Sequence, residues 1–546
     1  MAADTDAFPQ LSDAEVEALG RLGVRRAVAA GEYLYREGDA SYDFYVVLAG
    51  AVEIVVKSEG QERVIARHEA GRFLGELNLL TGQRVYVSAR VAEAGEVIAV
   101  SRDALRRVIA TAAGLSDKIL AAFLARRAIL MSGAASAIRV IGSRFSPDSG
   151  HIREFLARNR IPHEWLDPDA DRDVERLLRE FDIAPRDLPV VIATGTALRR
   201  PTPGLLADYL GLTLGKLPDR CFDLVVVGGG PAGLAAAVYG ASEGLRTILV
   251  EMVAVGGQAG SSSRIENYLG FPTGISGADL TQRATVQAQK FGATLSSPCA
   301  AASLRENAGH VVIRLSDGTD IPGRAVIAAT GARYRRLDAA RLGEFESRGV
   351  YYAATELEAR MCAGSPAVVV GGGNSAGQAA LFLADSGSAV TIVIRGPDLA
   401  ASMSRYLVDR IEGDKRIVVR RNTRILALEG NQSVTGVRVS GPDGEETLAT
   451  TALFSFIGAE PSSAWLSGFA ALDDDGFVLT DRSLGRLDAR WDALGRTPLP
   501  FETSHPGLFA VGDVRSGSTK RVAAAVGEGS AAVRSVHAYL AFDRHA

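Results

Sequence analysis

Three glycines at 228, 230 and 233, in the run DLVVVGGGPAGLAAAVYG (223–240), have a spacing that can hold a pyrophosphate. Gly228 permits a tight turn, Gly230 lets the backbone approach the phosphates, and Gly233 lets a helix pack closely on the preceding strand. Pro231 and Ala232 lie at the start of that Ala-rich helix, where free N–H groups and the helix dipole favour negative charge. The next apolar run, RTILVE, ends in Glu251, eighteen residues past Gly233 and placed to bond adenosine ribose hydroxyls. Strand, loop, helix and acid in register point to a dinucleotide site.

A second loop, AVVVGGGNSAGQAALFLA (367–384), carries Gly371, Gly373, Asn374, Ser375 and Ala376. Its following strand, AVTIVIRG, ends in Arg395 where the first ends in an acid. An acid would repel a 2′-phosphate and an arginine attracts one, so this site reads as NADPH rather than NADH. The plain alternative for Arg395 is a solvated strand-end charge. Two loops imply two dinucleotides, one of which stays bound and relays electrons.

The elements that must position these loops fall into three blocks. Residues 30–110 alternate short β-patterned runs with turn signals, as in YLYREGDASYDFYVVLAGAVEIVV and VYVSARVAEAGEVIAV, which predicts an antiparallel barrel or sandwich. A helical pattern follows, with Leu105, Val108, Ile109, Ile119, Leu120, Phe123 and Leu124 at spacings of three and four. Residues 137–215 run strand, helix, strand, helix, strand, and from residue 222 the chain is rich in Gly and Ala and carries both loops.

The 546 residues leave room for three or four domains, and 47% hydrophobic with 23% charged residues is ordinary for a soluble globular protein. A net charge of −4 gives no basic face for nucleic acid. No run of eighteen apolar residues predicts a membrane span, and MAADTDAFPQ lacks the layout of a signal peptide. Cys221, Cys299 and Cys362 are odd in number and scattered, which argues against a disulfide framework and for a cytoplasmic setting. The seven histidines never fall at ligand spacing with a cysteine or carboxylate, so no metal site is expected.

With GLFAVGDVR (507–515) and STKRVAAAVGEG behind it, the last 325 or so residues resemble the thioredoxin reductase family. The matching residues are GGGPAG, Glu251, GGQ (256–258), Asn267 in IENYLGF, ATGA (329–332), GGGNSA and the Gly512–Asp513 pair, in family order. The resemblance implies FAD on the first loop and NADPH on the second. It implies that Gly257, Gln258 and Asn267 lie along the flavin and that Ala329, Thr330 and Gly331 belong to the FAD site. Gly512 and Asp513 would hold the ribityl chain, and Arg521, Val522 and Ala523 would cover the isoalloxazine ring. It further implies an FAD domain in two parts, 219–340 and 458–546, with an NADPH domain, 341–457, inserted between them, and a homodimer.

The segment between the loops, GVYYAATELEARMC (349–362), is where that family carries Cys-x-x-Cys followed by an acid. Aligned from RGV (348–350), this chain has Ala353, Ala354, Thr355, Glu356 and Leu357, so Ala353 and Glu356 replace the family cysteines. Neither a methyl group nor a carboxylate forms a disulfide, and the stretch reads as a vacated reaction centre. Cys362 reads as a buried structural thiol. Glu356 is open to a reading as a proton donor near flavin N5, and Tyr351 and Tyr352 as rings stacked beside it. The preferred reading is that they fill the space the dithiol left, because no base or charge partner is visible.

Residues 136–215 resemble the thioredoxin/glutaredoxin fold, with Leu188-Pro189-Val190 before a strand and Ser146-Pro147-Asp148-Ser149 in the place of Cys-Pro-x-Cys. Residues 1–135 resemble the cyclic nucleotide-binding domain through REGD (36–39), FYVVLAG (44–50) and FLGELNLL (73–80). That resemblance implies a phosphate cassette of Gly75, Glu76 and Leu77, with Glu76 on the ribose 2′-hydroxyl and Arg84 on the phosphate. Val85-Tyr86-Val87-Ser88 stands where the family has a small residue and Ser/Thr, and these side chains close or reshape the pocket. The expected fold is therefore multidomain: an N-terminal β-barrel with a C-terminal helix, a thioredoxin-like α/β domain, and a Rossmann-like α/β reductase module with two dinucleotide sites. The expected function is an NADPH-dependent FAD oxidoreductase. It passes electrons directly to a quinone, a ferredoxin-like protein or oxygen, under control of a nucleotide at the N-terminal domain. A different class is a redox or nucleotide sensor or scaffold that binds FAD and NADPH with little turnover. A third is a disulfide reductase that borrows cysteines from a partner.

Overall fold

The computed structural model describes residues 7–58, 61–81, 83–131, 138–168, 174–193, 196–213, 221–262, 264–265, 267–307, 310–346, 348–352, 354, 356–485 and 489–543. Contacts group the chain into two compact units. The first comprises residues 1–220, 240–254 and 286–300; the second comprises 221–239, 255–285 and 301–546.

In the first unit, Phe44–Ser58 lies at the centre of a six-stranded antiparallel sheet, between Ser88–Val100 and Gln61–His68. Val24–Val28 forms the far edge on Ser88–Val100, and the short strands Tyr33–Tyr35 and Phe73–Leu74 complete it. The strands bury consecutive residues, Phe44, Tyr45, Val46 and Val47 in one and Phe73 and Leu74 in another, and Val97, Ile98 and Val100 join the same core. The helical pattern after the sheet is two helices, Arg102–Thr111 and Ala113–Met131, bent by 120°. The break falls at Ala112, whose φ −110° and ψ 83° leave the helical region. Phe123 packs the second helix against Phe44 and Phe73, at centroid distances of 6.4 and 6.5 Å.

The same unit holds a four-stranded sheet in the order Thr196–Arg199, Val190–Ala193, Arg139–Ile141, Glu164–Leu166. Only its last pair is parallel. Helices Pro147–Arg158, Val174–Glu180 and Pro203–Leu210 accompany it, and the Leu188–Pro189 bond before Val190 is cis. Ser146 caps the first of these helices by accepting the Ser149 N–H, with Pro147 at its first position. Thr247–Val250 pairs in parallel with Thr294–Ser296.

In the second unit, Phe222–Val227 and Leu508–Ala510 both run parallel to Asp320–Ala328, which also pairs antiparallel with His310–Leu315. A second sheet is wholly parallel, in the order Val350–Tyr351, Ala452–Ser455, Ala367–Val370, Val390–Val393, Ile417–Arg420. Its central strand is four buried residues, the continuous apolar run expected when both faces are covered. Ala332–Tyr334 and Ala459–Pro461 form one antiparallel pair where the chain passes between these two sheets. Among the described residues no single helix is long and apolar enough to cross a membrane.

Candidate functional site

The first glycine loop joins Phe222–Val227 to the helix Pro231–Ser242, and each glycine has a distinct geometric duty. Gly228 has φ +108°, and a Cβ there would lie 2.3 Å from the Ala329 carbonyl oxygen. A Cβ on Gly233 would lie 1.8 Å from the Gly228 carbonyl oxygen, so helix and strand touch here. A Cβ on Gly230 would meet nothing within 4 Å, which leaves open space where a pyrophosphate would approach the backbone.

Four other segments converge on this loop. The Ala329 N–H bonds the Val227 carbonyl at 2.7 Å, and Thr330 beside it donates its hydroxyl to Ser462 O at 2.7 Å. Gly256 N–H bonds Gly229 O at 2.7 Å, and a Cβ on Gly257 would lie 2.8 Å from Gly230 Cα. Gln258 donates its side-chain amide to Ala332 O, and Gly331 turns with φ +66°. Gly512 approaches Ala232, where a Cβ on it would lie 2.9 Å from the Ala232 methyl, and a Cβ on Gly529 of the helix Val522–Asp543 would lie 2.0 Å from the Ala232 carbonyl oxygen. Arg521 is exposed immediately before that helix, and Val522 and Ala523 are its first residues, whose N–H groups have no acceptor within it.

Asp513 is half-buried, and among the described residues no side-chain hydrogen bond or ion pair holds its carboxylate. Burial pushes its pKa upward, against the pull of Lys520. A half-buried carboxylate with no side-chain partner among the described residues can accept from a ligand hydroxyl, as the ribityl assignment requires. Together with the opening at Gly230, these features fit FAD. Asn267 is exposed on a turn whose ends, Ile265 and Ile275, exchange hydrogen bonds of 2.7 and 3.1 Å. Glu251 belongs to the first unit, where its carboxylate accepts the Val253 N–H at 3.0 Å and its own N–H bonds Ser296 O.

The second loop repeats the geometry. Gly371 has φ +137° and a built Cβ 2.3 Å from Phe456 O, Gly373 faces open space, and Ala376 is fully buried. Asn374 Oδ1 accepts the Ser404 N–H at 2.7 Å and Ser402 donates to Gly372 O at 3.0 Å, while Ser375 is exposed. Arg395 is exposed past the end of Val390–Val393, and among the described residues its guanidinium has no ion pair or side-chain hydrogen bond. The group that would meet a 2′-phosphate is therefore uncommitted, and this loop fits NADPH.

Of the segment between the loops, Ala353 and Thr355 lie outside the described residues, as does the side chain of Glu356, which opens the helix Glu356–Cys362. Ala354 is buried. Tyr351 packs on Phe454 at 5.2 Å between centroids, and Tyr352 donates to Glu346 at 2.8 Å. Burial, then Glu346, pushes the Tyr352 phenol up to about 12. Both rings are thus engaged in structural contacts. Cys362 is buried, and burial raises its thiol to about 11.

In the first unit, the cassette residues follow Phe73–Leu74: Gly75 at φ +149°, then buried Glu76 and Leu77. Glu76 is gripped through both oxygens by Arg127 of the helix Ala113–Met131, one contact measuring 2.8 Å. Arg126 beside it donates to Gly75 O at 2.6 Å. Arg84 donates one N–H, from Nη1, to Gly38 O at 2.9 Å. Val85, Tyr86 and Val87 are buried, and Ser88 accepts the Glu37 N–H. Arg127 and Glu528, the acid that braces Gly512, had no motif to mark them: each acts on a partner far along the chain.

Comparison with known proteins gives the same two regions. The pyridine nucleotide-disulphide oxidoreductase family model matches residues 222–529, and the cyclic nucleotide-binding domain model matches residues 25–112. A thioredoxin reductase from Listeria monocytogenes is 31% identical over 335 residues, covering 59% of this chain and 95% of its own. A bifunctional thioredoxin reductase/thioredoxin from Mycobacterium leprae is 34% identical over 326 residues, 59% of this chain and 67% of its own. The crystal structure of Lactococcus lactis thioredoxin reductase superposes with a TM-score of 0.53 at 26% identity, covering 59% of this chain and 99% of that one.

Proposed function

The chain belongs to the pyridine nucleotide-disulphide oxidoreductase family, in its thioredoxin reductase branch of NAD(P)H-dependent FAD oxidoreductases, and from that premise we propose that it delivers electrons from NADPH to an external acceptor without a protein dithiol. The observation that carries this is the sequence at 353–356, Ala-Ala-Thr-Glu, together with the burial of Cys362 and its raised thiol pKa. A thiol held protonated neither attacks a disulfide nor leaves from one.

When bound, FAD supplies hydride acceptance from NADPH and onward transfer of one or two electrons. The chain binds and orients. The N–H groups at the start of Pro231–Ser242 face a pyrophosphate, Glu251 an adenosine ribose, and Asp513 a ribityl hydroxyl. Gln258, Asn267 and the start of Val522–Asp543 border the flavin, and Arg395 selects the 2′-phosphate of NADPH. The acceptor is a quinone, a ferredoxin-like one-electron protein or oxygen, since no dithiol stands between cofactor and solvent.

The domain reading extends this. Residues 136–215 form a thioredoxin/glutaredoxin-like domain without redox thiols, and residues 1–135 a barrel that takes a cyclic nucleotide at Glu76 and Arg84. The reductase portion, 219–340 with 458–546 around 341–457, works as a homodimer. The test is anaerobic stopped-flow mixing of the yellow protein with NADPH. Fast loss of flavin absorbance, restored by one of the three acceptors but not by oxidised thioredoxin, is the expected result. Slow bleaching that no acceptor relieves would replace this reading with a sensor that binds FAD and NADPH as signals.

A further inference from the structure

The buried contact between Glu76 and Arg127 begins a series of hydrogen bonds that reaches Glu251. Arg127 is 2% exposed and Glu76 6%, so neither charge is solvated and each depends on the other. The guanidinium has further engagements: Nη1 and Nη2 both donate to Gln83 Oε1 at 3.2 Å, and Nη1 also donates to the carbonyl of Arg160 at 3.4 Å, on the turn that ends the helix Pro147–Arg158. Arg160 sits there at φ +51°, which fixes that turn's geometry. Its neighbour Asn159 donates its side-chain amide to Val253 O at 3.3 Å, and the Val253 N–H is the one that holds the Glu251 carboxylate at 3.0 Å. Every member of this series lies in the first compact unit.

We propose that occupancy of the cassette by a cyclic nucleotide is transmitted to the FAD adenosine site through Arg127, the Asn159–Arg160 turn and Val253, so that the two ligands bind cooperatively or antagonistically. This rests on the reading above that places a cyclic nucleotide at Glu76 and FAD at Glu251. A ribose hydroxyl donating to Glu76 competes with Arg127 for the same two oxygens. A buried guanidinium that loses part of its partner must recover hydrogen bonds elsewhere, and Gln83 Oε1 and the Arg160 carbonyl are the acceptors already in reach, the second of them on the turn. Moving that turn changes how Asn159 holds Val253, and with it the donor that orients Glu251. Coupling of this kind is reciprocal: each ligand shifts the other's affinity by one common factor.

The experiment uses the full chain, stripped of flavin and reconstituted. The FAD dissociation constant is read from flavin fluorescence with no nucleotide and at saturating cyclic AMP, then cyclic GMP. The nucleotide's own constant is measured with and without FAD. We expect one of these nucleotides to bind and to shift the FAD constant by about fivefold or more, with the same factor in reverse. Asn159→Ala should bind each ligand alone and reduce the factor to within about twofold of unity. Binding of both ligands with unchanged constants overturns the proposal and leaves the reductase reading intact. Absence of nucleotide binding, or full coupling in Asn159→Ala, overturns it too. A chain that takes no FAD overturns both. The unsubstituted protein alone decides the first point, should the variant fold poorly.

Discussion

Glu528 accepts the Gly512 N–H at 2.7 Å while the same carboxylate holds the Arg515 guanidinium at 2.5 and 3.1 Å. One carboxylate on the helix Val522–Asp543 therefore fixes both sides of the turn that carries Asp513. Asp513 itself has no such support among the described residues, so the position of its carboxylate, which the proposed reading sets against a ribityl hydroxyl, is inherited from Glu528.

Replacing Glu528 by Ala removes two charge-assisted interactions and leaves a buried N–H and a half-buried guanidinium short of partners. Hydrogen bonds to charged groups contribute about 1.5–3 kcal/mol each, so losing one bond's worth of loop order weakens FAD binding by roughly 10- to 150-fold. Glu528→Gln keeps an acceptor for Gly512 and should lose less. Flavin retention on dilution, followed by fluorescence, checks the ranking; equal retention in all three proteins would dissociate Glu528 from the site.

The glycines of the first loop make a paired test. A methyl at Gly233 would sit 1.8 Å from the Gly228 carbonyl, so Gly233→Ala must move the backbone and should cost about 1–3 kcal/mol of stability. A methyl at Gly230 meets nothing within 4 Å in the chain itself, so Gly230→Ala should fold with an unchanged melting temperature yet bind FAD poorly. Thermal unfolding of the flavin-free proteins separates the two: a Gly230→Ala chain that unfolds as early as Gly233→Ala contradicts the assignment of that opening to phosphate.

Both glycine loops were legible because their function depends on spacing within a dozen residues and on backbone freedom only glycine has. Short β-patterned runs separated by Gly and Asp turn signals revealed the sheet that holds Phe44–Ser58 and Ser88–Val100 for the same local reason. What pattern could not show was partnership at a distance. Arg127 meets Glu76 across 51 residues, and no periodicity announces that one arginine of an Arg126–Arg127 pair points at a carboxylate. The helix from Leu105 also read as continuous, since the three-and-four spacing on each side of Ala112 is sound; the 120° bend falls where the Ala112 backbone leaves the helical region, which side-chain spacing does not report. Glu528 was hidden because an acid in an Ala- and Gly-rich helix looks the same whether it faces solvent or a loop.

Arg395 should set coenzyme choice. An exposed arginine with no competing partner among the described residues can turn fully to a 2′-phosphate, and NADH has none to offer. Arg395→Ala is expected to raise the Michaelis constant for NADPH by roughly tenfold or more, with NADH changed by less than about twofold. Steady-state rates with both coenzymes at low ionic strength check this, and added salt should erode the NADPH advantage of the unsubstituted protein. An equal effect on both coenzymes would return Arg395 to the role of a solvated charge.

Cys362 should behave as a structural thiol in its chemistry and in its pH dependence. With its pKa raised by burial to about 11, only about one thiol in ten thousand is ionised at pH 7, so alkylation of the native protein should be negligible there and climb toward pH 11. The raised folded-state value means that the native state binds more protons than the unfolded chain between about pH 8.5 and 11. This site's contribution to stability is therefore complete below about pH 8.5 and is lost as pH rises through 11. Cys362→Ala should flatten that alkaline loss while leaving the rate of flavin reduction by NADPH unchanged. Rapid alkylation at pH 7, or a reductase disabled by the substitution, would instead make Cys362 a redox thiol and restore a sulfur to the electron path.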